Sequence, residues 1–143
     1  MKGSYCLIIR VEKLSYFNVG SLGRVKIESG CYVYVGSAFK SLEARIRRHL
    51  SRDKKIHWHI DYLLTQSYVR VEDVIFTADE RRLECLISKA LENPGSIEGF
   101  GCSDCNCKSH LHYYKDIEAA KNAVLNVMGE LGAEIMFLKD LNL

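Results

Sequence analysis

The stretch CYVYVGSAFKSLEARIRRHL, residues 31–50, carries Tyr32 and Tyr34 on an apolar strand pattern. After Gly36 it turns into a helix pattern with Arg45, Arg47, Arg48 and His49. Phenols, guanidiniums and an imidazole in so short a span suit a site that grips and hydrolyses a phosphodiester. The fork of an arginine can engage two phosphate oxygens. A tyrosine or histidine beside the attacking water can relay its proton, and a carboxylate-held metal would stabilise both the phosphorus and the leaving oxygen. Arg45 and His49 are four residues apart and share one helix face, beside the stripe Leu42, Ile46, Leu50. That border position lets the arginine stem pack while its head stays in a cleft. Arg47 and Arg48 leave the helix in other directions and read as outward contacts for phosphates. With Lys40, Arg52, Lys54 and Lys55 they form a local basic cluster on a chain whose net charge is only +2. Such a cluster is an electrostatic footprint for a polyanion; a solvated cationic helix face is the plain alternative.

A second concentration lies in CSDCNCKSHLH, with Cys102, Cys105, Cys107, His110 and His112. A Cys-x2-Cys pair with a further Cys and His is compatible with tetrahedral zinc. The spacing is cramped, and zinc sites usually draw ligands from a distant segment, for which His57 and His59 in HWHID are candidates. Two other readings stand beside zinc: a rim of the active site, with His110 or Cys107 facing a cleft and Asp104 orienting it, and a structural loop with inert thiols. Cys6, Cys31 and Cys85 sit singly in apolar contexts and read as buried core residues. Trp58 could stack on a base or belong to the core.

The elements that must position these groups follow from periodicity. The chain has 143 residues, 48% hydrophobic and 27% charged, which fits one soluble domain. No secretory signal or membrane-length apolar run is visible, so a cytoplasmic protein is expected. SYCLIIRVE, residues 4–12, reads as a buried strand. GRVKI alternates and suggests a hairpin, CYVYVG is a strand ended by Gly36, and residues 41–51 form a helix capped by Ser41. IHWHIDYLLTQ reads as a short helix with Ile60, Leu63 and Leu64 inward, and VRVEDVIFT as a strand. The next helix is expected to start at Thr77, whose spacing to Glu80 fits a capping box, with Leu83, Ile87 and Leu91 on one face. LHYY, a helix capped by Asp116 with Ile117, Ala120, Val124 and Val127 inward, and EIMFL follow. Strands and helices without strict alternation give an α+β domain with a small, mostly antiparallel central sheet flanked by helices. A strand–helix–strand extension is expected at its C-terminal side.

In this setting GSY at residues 3–5, YVG at 34–36, Arg45, His49 and Glu84 resemble the GIY-YIG nuclease signature. YVGSA running into LEARIRRHL is similar to the matching stretch of homing endonucleases and of the nuclease domain of the excision-repair incision enzyme. The resemblance covers about residues 3–92. GFGCSDCNCKSHL, in the remainder at about 95–143, resembles a branch of GIY-YIG-like proteins found alone or fused to an endonuclease-III-type DNA glycosylase. The resemblance implies a metal-dependent DNA endonuclease, in DNA repair, with a DNA glycosylase as a candidate partner. Tyr5 would help activate water, and Tyr34 would lie across from it on the paired strand. Arg45 would stabilise the phosphorane charge, His49 would assist proton transfer, and Glu84 would hold one Mg2+ or Mn2+ ion. Ser4 stands where a branched apolar residue is usual. The long stretch between Tyr5 and Tyr34 suits an extended hairpin that reshapes substrate access. Glu80 is the competing carboxylate, but it is better explained by the capping box.

Three functions follow from these residues. The first is one-metal hydrolysis of DNA. The second is a non-catalytic module binding DNA or RNA through the basic helix. The third is a zinc-binding structural or sensing protein centred on the cysteine loop.

Overall fold

The computed structural model describes residues 1–142. Its centre is β1 (Gly3–Val11), whose run GSYCLIIRV is apolar on both alternating faces and is buried on both. β4 (Gly30–Ala38) and β5 (Val69–Thr77) pair with it antiparallel on either side. β6 (Leu111–Tyr114) adds to β4 and β7 (Met136–Phe137) to β5, giving the sheet order β6-β4-β1-β5-β7. β2 (Ser15–Val19) and β3 (Gly23–Ile27) form a separate hairpin. This is the expected α+β domain with an antiparallel sheet.

Strand alternation divides the sheet into two packed faces. Tyr5, Leu7 and Ile9 share one face with Tyr32 and Tyr34, under α1 (Leu42–Leu50), α2 (His59–Leu64) and the hairpin. Cys6, Ile8, Val33 and Val35 face the other way, against α3 (Glu84–Leu91) and α4 (Ile117–Glu130). Fully burying a branched or aromatic side chain contributes about 1.5–3 kcal/mol. The sheet therefore gives its neighbours a firm platform on both sides.

Caps form where hydroxyl or carboxylate side chains precede apolar periodicity. Ser41 Oγ accepts from the Ala44 N–H and Asp116 Oδ1 from the Ala119 N–H. Ile60, Leu63 and Leu64 are buried as expected. α4 buries Ala120 and Val124 together with Met128, while Ile117 and Val127 lie half-buried at its margin.

Three local expectations fail. Gly36 does not end β4, which continues through it to Ala38 and pairs there with Gly3. Thr77 is no helix cap: it is the last residue of β5, paired with Ser4. Its Oγ1 accepts the Asp79 N–H, and Asp79 in turn accepts the Arg81 N–H, a local turn that delays α3 until Glu84. EIMFL contributes only Met136 and Phe137 to the sheet. No helix among the described residues is long and apolar enough to cross a membrane.

Candidate functional site

Tyr5 projects from β1 and Tyr34 from β4, on the same face of adjacent strands. Their partners across the ladder are Gly36 and Leu7, so the two rings lie diagonally rather than directly opposite. The space for Tyr5 comes from Gly36: a Cβ there would stand 2.5 Å from Tyr5 Cζ, which no packing tolerates. Tyr5 Oη shares a 2.7 Å hydrogen bond with His49 Nε2 from α1. Arg45, one turn earlier, donates from Nη1 to the Ser37 carbonyl at 2.9 Å, and its guanidinium lies 4.5 Å from the centre of the Trp58 ring. Glu84 enters from the first turn of α3, where Ser37 Oγ donates to its Oε1.

These groups converge. Tyr5, Tyr34, Arg45 and Glu84 line one cleft of about 300 Å³, with Ser37, Trp58 and Asp104. The cleft continues on one side into a hollow of about 440 Å³ beside Glu84, Cys85 and Cys105. On the other side it meets one of about 300 Å³ bordered by Trp58, His59 and the turn Gly20–Ser21 between β2 and β3. The long segment after Tyr5 thus becomes a hairpin whose tip edges the groove. Gly101 forms part of the wall in a left-handed conformation (φ 74°), wedged between His110 and Tyr34, and its N–H donates to His59 Nδ1. A separate hollow of about 210 Å³, lined by His49, Leu50 and Arg52, contains no carboxylate or tyrosine.

Burial sets the protonation of the inner groups. It drives the Tyr5 and Tyr34 phenols well above their ordinary range, with Arg45 opposing. It pulls His49 down to about 3, assisted by Lys54, Arg45 and Arg48 and resisted by Asp61. His49 Nδ1 is buried with no hydrogen-bond partner. At neutral pH the Tyr5–His49 pair is therefore a protonated phenol against a neutral imidazole. His49 lies behind Tyr5 rather than on the wall of the cleft.

The basic cluster divides. Arg48 does not point outward: it grips the fully buried Asp61 with both guanidinium branches, at 3.0 and 2.9 Å. Burial raises Asp61, but Arg48 and the His57 and Trp58 N–H groups outweigh it and hold the carboxyl below its usual range. Arg52 donates to the Gln66 and Val69 carbonyls, and Lys54 Nζ to the carbonyls of Arg48 and His49. These three serve backbone carbonyls and a buried acid, a demand that local sequence does not reveal. Lys40, Arg47 and Lys55 are exposed, and so is Arg52 despite its backbone contacts.

The thiol cluster also differs from expectation. Cys85, Cys105, Cys107 and His110 bring their ligand atoms within 4.8 Å of one another, a group able to hold a metal ion. Cys102 is outside it, its thiol directed at the Phe100 carbonyl. Burial pushes the Cys85 and Cys107 thiols up, and their sulfur neighbours act in the same crowded space. His57 packs on Trp58, and His59 accepts from Gly101. His112 is fully occupied: Ser88 Oγ gives its proton to the Ser109 carbonyl and so accepts from Nε2–H, while Ser96 Oγ donates to Nδ1. Cys85 was missed as a ligand, although it lies off the Leu83, Ile87, Leu91 stripe and so is not placed for the core. Ser37, the other unforeseen contributor, gave no sequence signal. Glu80 sits outside the cleft, 4.0 Å from Lys2 Nζ.

An α+β domain with this cleft and thiol group is the class the fold defines. The chain belongs to the family described as Domain of unknown function DUF123, which it matches over residues 4–133. No curated protein and no solved structure matches it.

Proposed function

We propose that the chain is a GIY-YIG-type nuclease that hydrolyses phosphodiester bonds in DNA. The observation that carries this reading is the convergence of Tyr5, Tyr34, Arg45 and Glu84, from four separate elements, on one cleft. Nothing about a packed core requires an arginine, a carboxylate and two phenols at one opening.

A divalent ion such as Mg2+, held by Glu84, would offset charge on the phosphate and leaving oxygen. The donors fit it: Glu84, with Asp104 across the same cleft, offers oxygen, and Mg2+ is commonly bound by one or two carboxylates plus substrate phosphates. Arg45 is anchored to the Ser37 carbonyl and can meet the negative charge that grows on the phosphorane. Water attacks phosphorus and its proton passes to Tyr5 Oη, while the proton of Tyr5 passes to His49 Nε2. The P–O bond breaks with its electron pair going to the leaving oxygen. His49 is a weak base in the free protein because burial and three cations depress it. A bound phosphate offsets those cations and strengthens it. Tyr34 positions the water or a phosphate oxygen, and Trp58 presents a face on which a base can stack.

The test is cleavage of plasmid, single-stranded and branched DNA, and of RNA, with and without Mg2+ or Mn2+. Glu84→Gln and Arg45→Ala should each lower turnover by about 100-fold or more and leave the fold intact. Wild-type cleavage by both variants would refute the mechanism. Salt-sensitive binding without cleavage under any of these ions would instead define a non-catalytic binding module.

A further inference from the structure

Glu84 is held on two sides, and the second hold leads to a different site. His110 comes from the segment preceding β6. Its Nδ1 lies 3.0 Å from the Val35 carbonyl and 3.1 Å from Glu84 Oε2. A carbonyl only accepts, so Nδ1 must carry the proton. In the neutral ring the lone pair is then on Nε2, which points at Cys105 Sγ, 3.2 Å away. The ring itself is fully buried, and the Val35 N–H donates to the His110 carbonyl, so residue and ring are both pinned.

We propose that Cys85, Cys105, Cys107 and His110 bind one structural zinc ion, and that this ion fixes the position of the cleft carboxylate through the His110–Glu84 contact. Three sulfurs and an imidazole nitrogen form a soft, tetrahedral donor set that suits zinc. Four protein ligands leave no open position, the mark of a structural rather than a catalytic site. Zinc–sulfur bonds of about 2.3 Å separate sulfurs by about 3.8 Å, so ligand atoms already within 4.8 Å need move only slightly. The second hydrogen bond of a metal-bound histidine commonly goes to a carboxylate or carbonyl that fixes its orientation. Here His110 has one of each.

The location explains why such a staple is useful. α3 starts at Glu84 with no side-chain N-cap. The segment from residue 92 to 110 contains no helix or strand. A metal joining Cys85 to Cys105, Cys107 and His110 ties the first turn of α3 to that segment and to β6. Glu84 is the neighbour of one ligand in sequence and touches another in space. The link to catalysis rests on the nuclease reading; the zinc site itself does not.

The experiment is metal analysis of the full chain purified from zinc-supplemented culture without chelators. It is accompanied by replacement with Co2+ and absorption spectroscopy. One equivalent of zinc per chain and a Co2+ spectrum with thiolate charge transfer and tetrahedral bands are expected. Cys85→Ser, Cys105→Ser and Cys107→Ser should lose the metal, and Cys102→Ser should keep it. Should Cys85→Ser fail to fold, the Cys102→Ser result and the wild-type spectrum still decide. Glu84→Gln should retain a site with zinc affinity weakened about 10-fold. Metal-free protein after zinc supplementation, a Co2+ spectrum without thiolate bands, or zinc lost on Cys102→Ser would overturn the site. Unchanged zinc affinity in Glu84→Gln would overturn the coupling. Stoichiometric zinc with no cleavage of any nucleic acid would uphold the site while the nuclease reading failed.

Discussion

Acid should destabilise this domain earlier than its carboxylates alone require, because folding keeps His49 neutral. The imidazole lies between Tyr5, Tyr34 and Trp58, with Lys54, Arg45, Arg48 and Asp61 as its charged neighbours. Burial and the three cations take it from an ordinary 6.5 to about 3. A histidine with a depressed folded value binds a proton more readily when unfolded. Its contribution is therefore fully present above about pH 6.5 and is lost as pH falls from there toward 3. At about pH 4.5 the unfolded chain is favoured by roughly two pH units of binding, or about 2–3 kcal/mol. That is a large share of the about 5–15 kcal/mol that holds a typical domain. Urea unfolding followed by fluorescence of Trp58, the single tryptophan, would measure the slope between about pH 7 and pH 4.5. His49→Asn should flatten that slope by the same amount, whatever its stability at neutral pH. In a histidine NMR titration, the His49 ring should remain neutral well below about pH 5, alongside the buried His112 ring, which burial lowers to about 4. An equal pH slope in wild type and variant, or a His49 ring that titrates near its ordinary value, would refute the reasoning.

Other outcomes follow from neighbouring contacts. Gly36→Ala should cost about 1–3 kcal/mol through overpacking and should displace Tyr5 from His49, seen as loss of stability in chemical denaturation and loss of cleavage. Arg48→Ala should cost about 3 kcal/mol, because it strands Asp61 in the interior. Arg47→Ala should leave stability within about 0.5 kcal/mol and instead reduce the salt dependence of DNA binding by about one phosphate contact. Removing metal with a strong chelator should lower the thermal midpoint and raise proteolysis between residues 92 and 110, read by limited digestion.

Where local chemistry decides, the sequence was a good guide. The apolar run of β1, the alternation of β3 and the caps at Ser41 and Asp116 appear close to where pattern places them. Tyr5, Tyr34, Arg45 and Glu84 stand at the positions of a motif and meet at one cleft. The failures share a cause, which is commitment to a distant partner. Thr77 has the spacing of a cap, but pairing with Ser4 claims it for the sheet. Arg48 looks like its neighbour Arg47 until Asp61, thirteen positions on, takes both branches of its guanidinium. Cys85 names no partner of its own until the loop carrying Cys105 and Cys107 folds over it. No periodicity records such pairings, since each joins segments whose own local preferences are already satisfied.

The sheet order has a temporal meaning as well as a spatial one. β1, made first, lies in the middle; β4 and β5 flank it, and β6 and β7, made last, form the borders. During vectorial synthesis each arriving strand finds its partner already made, and none has to be inserted between two that have paired. The sheet can grow outward from the emerging chain, with every intermediate a smaller version of the finished one. Premature arrest would leave an unfinished border rather than a hole in the centre.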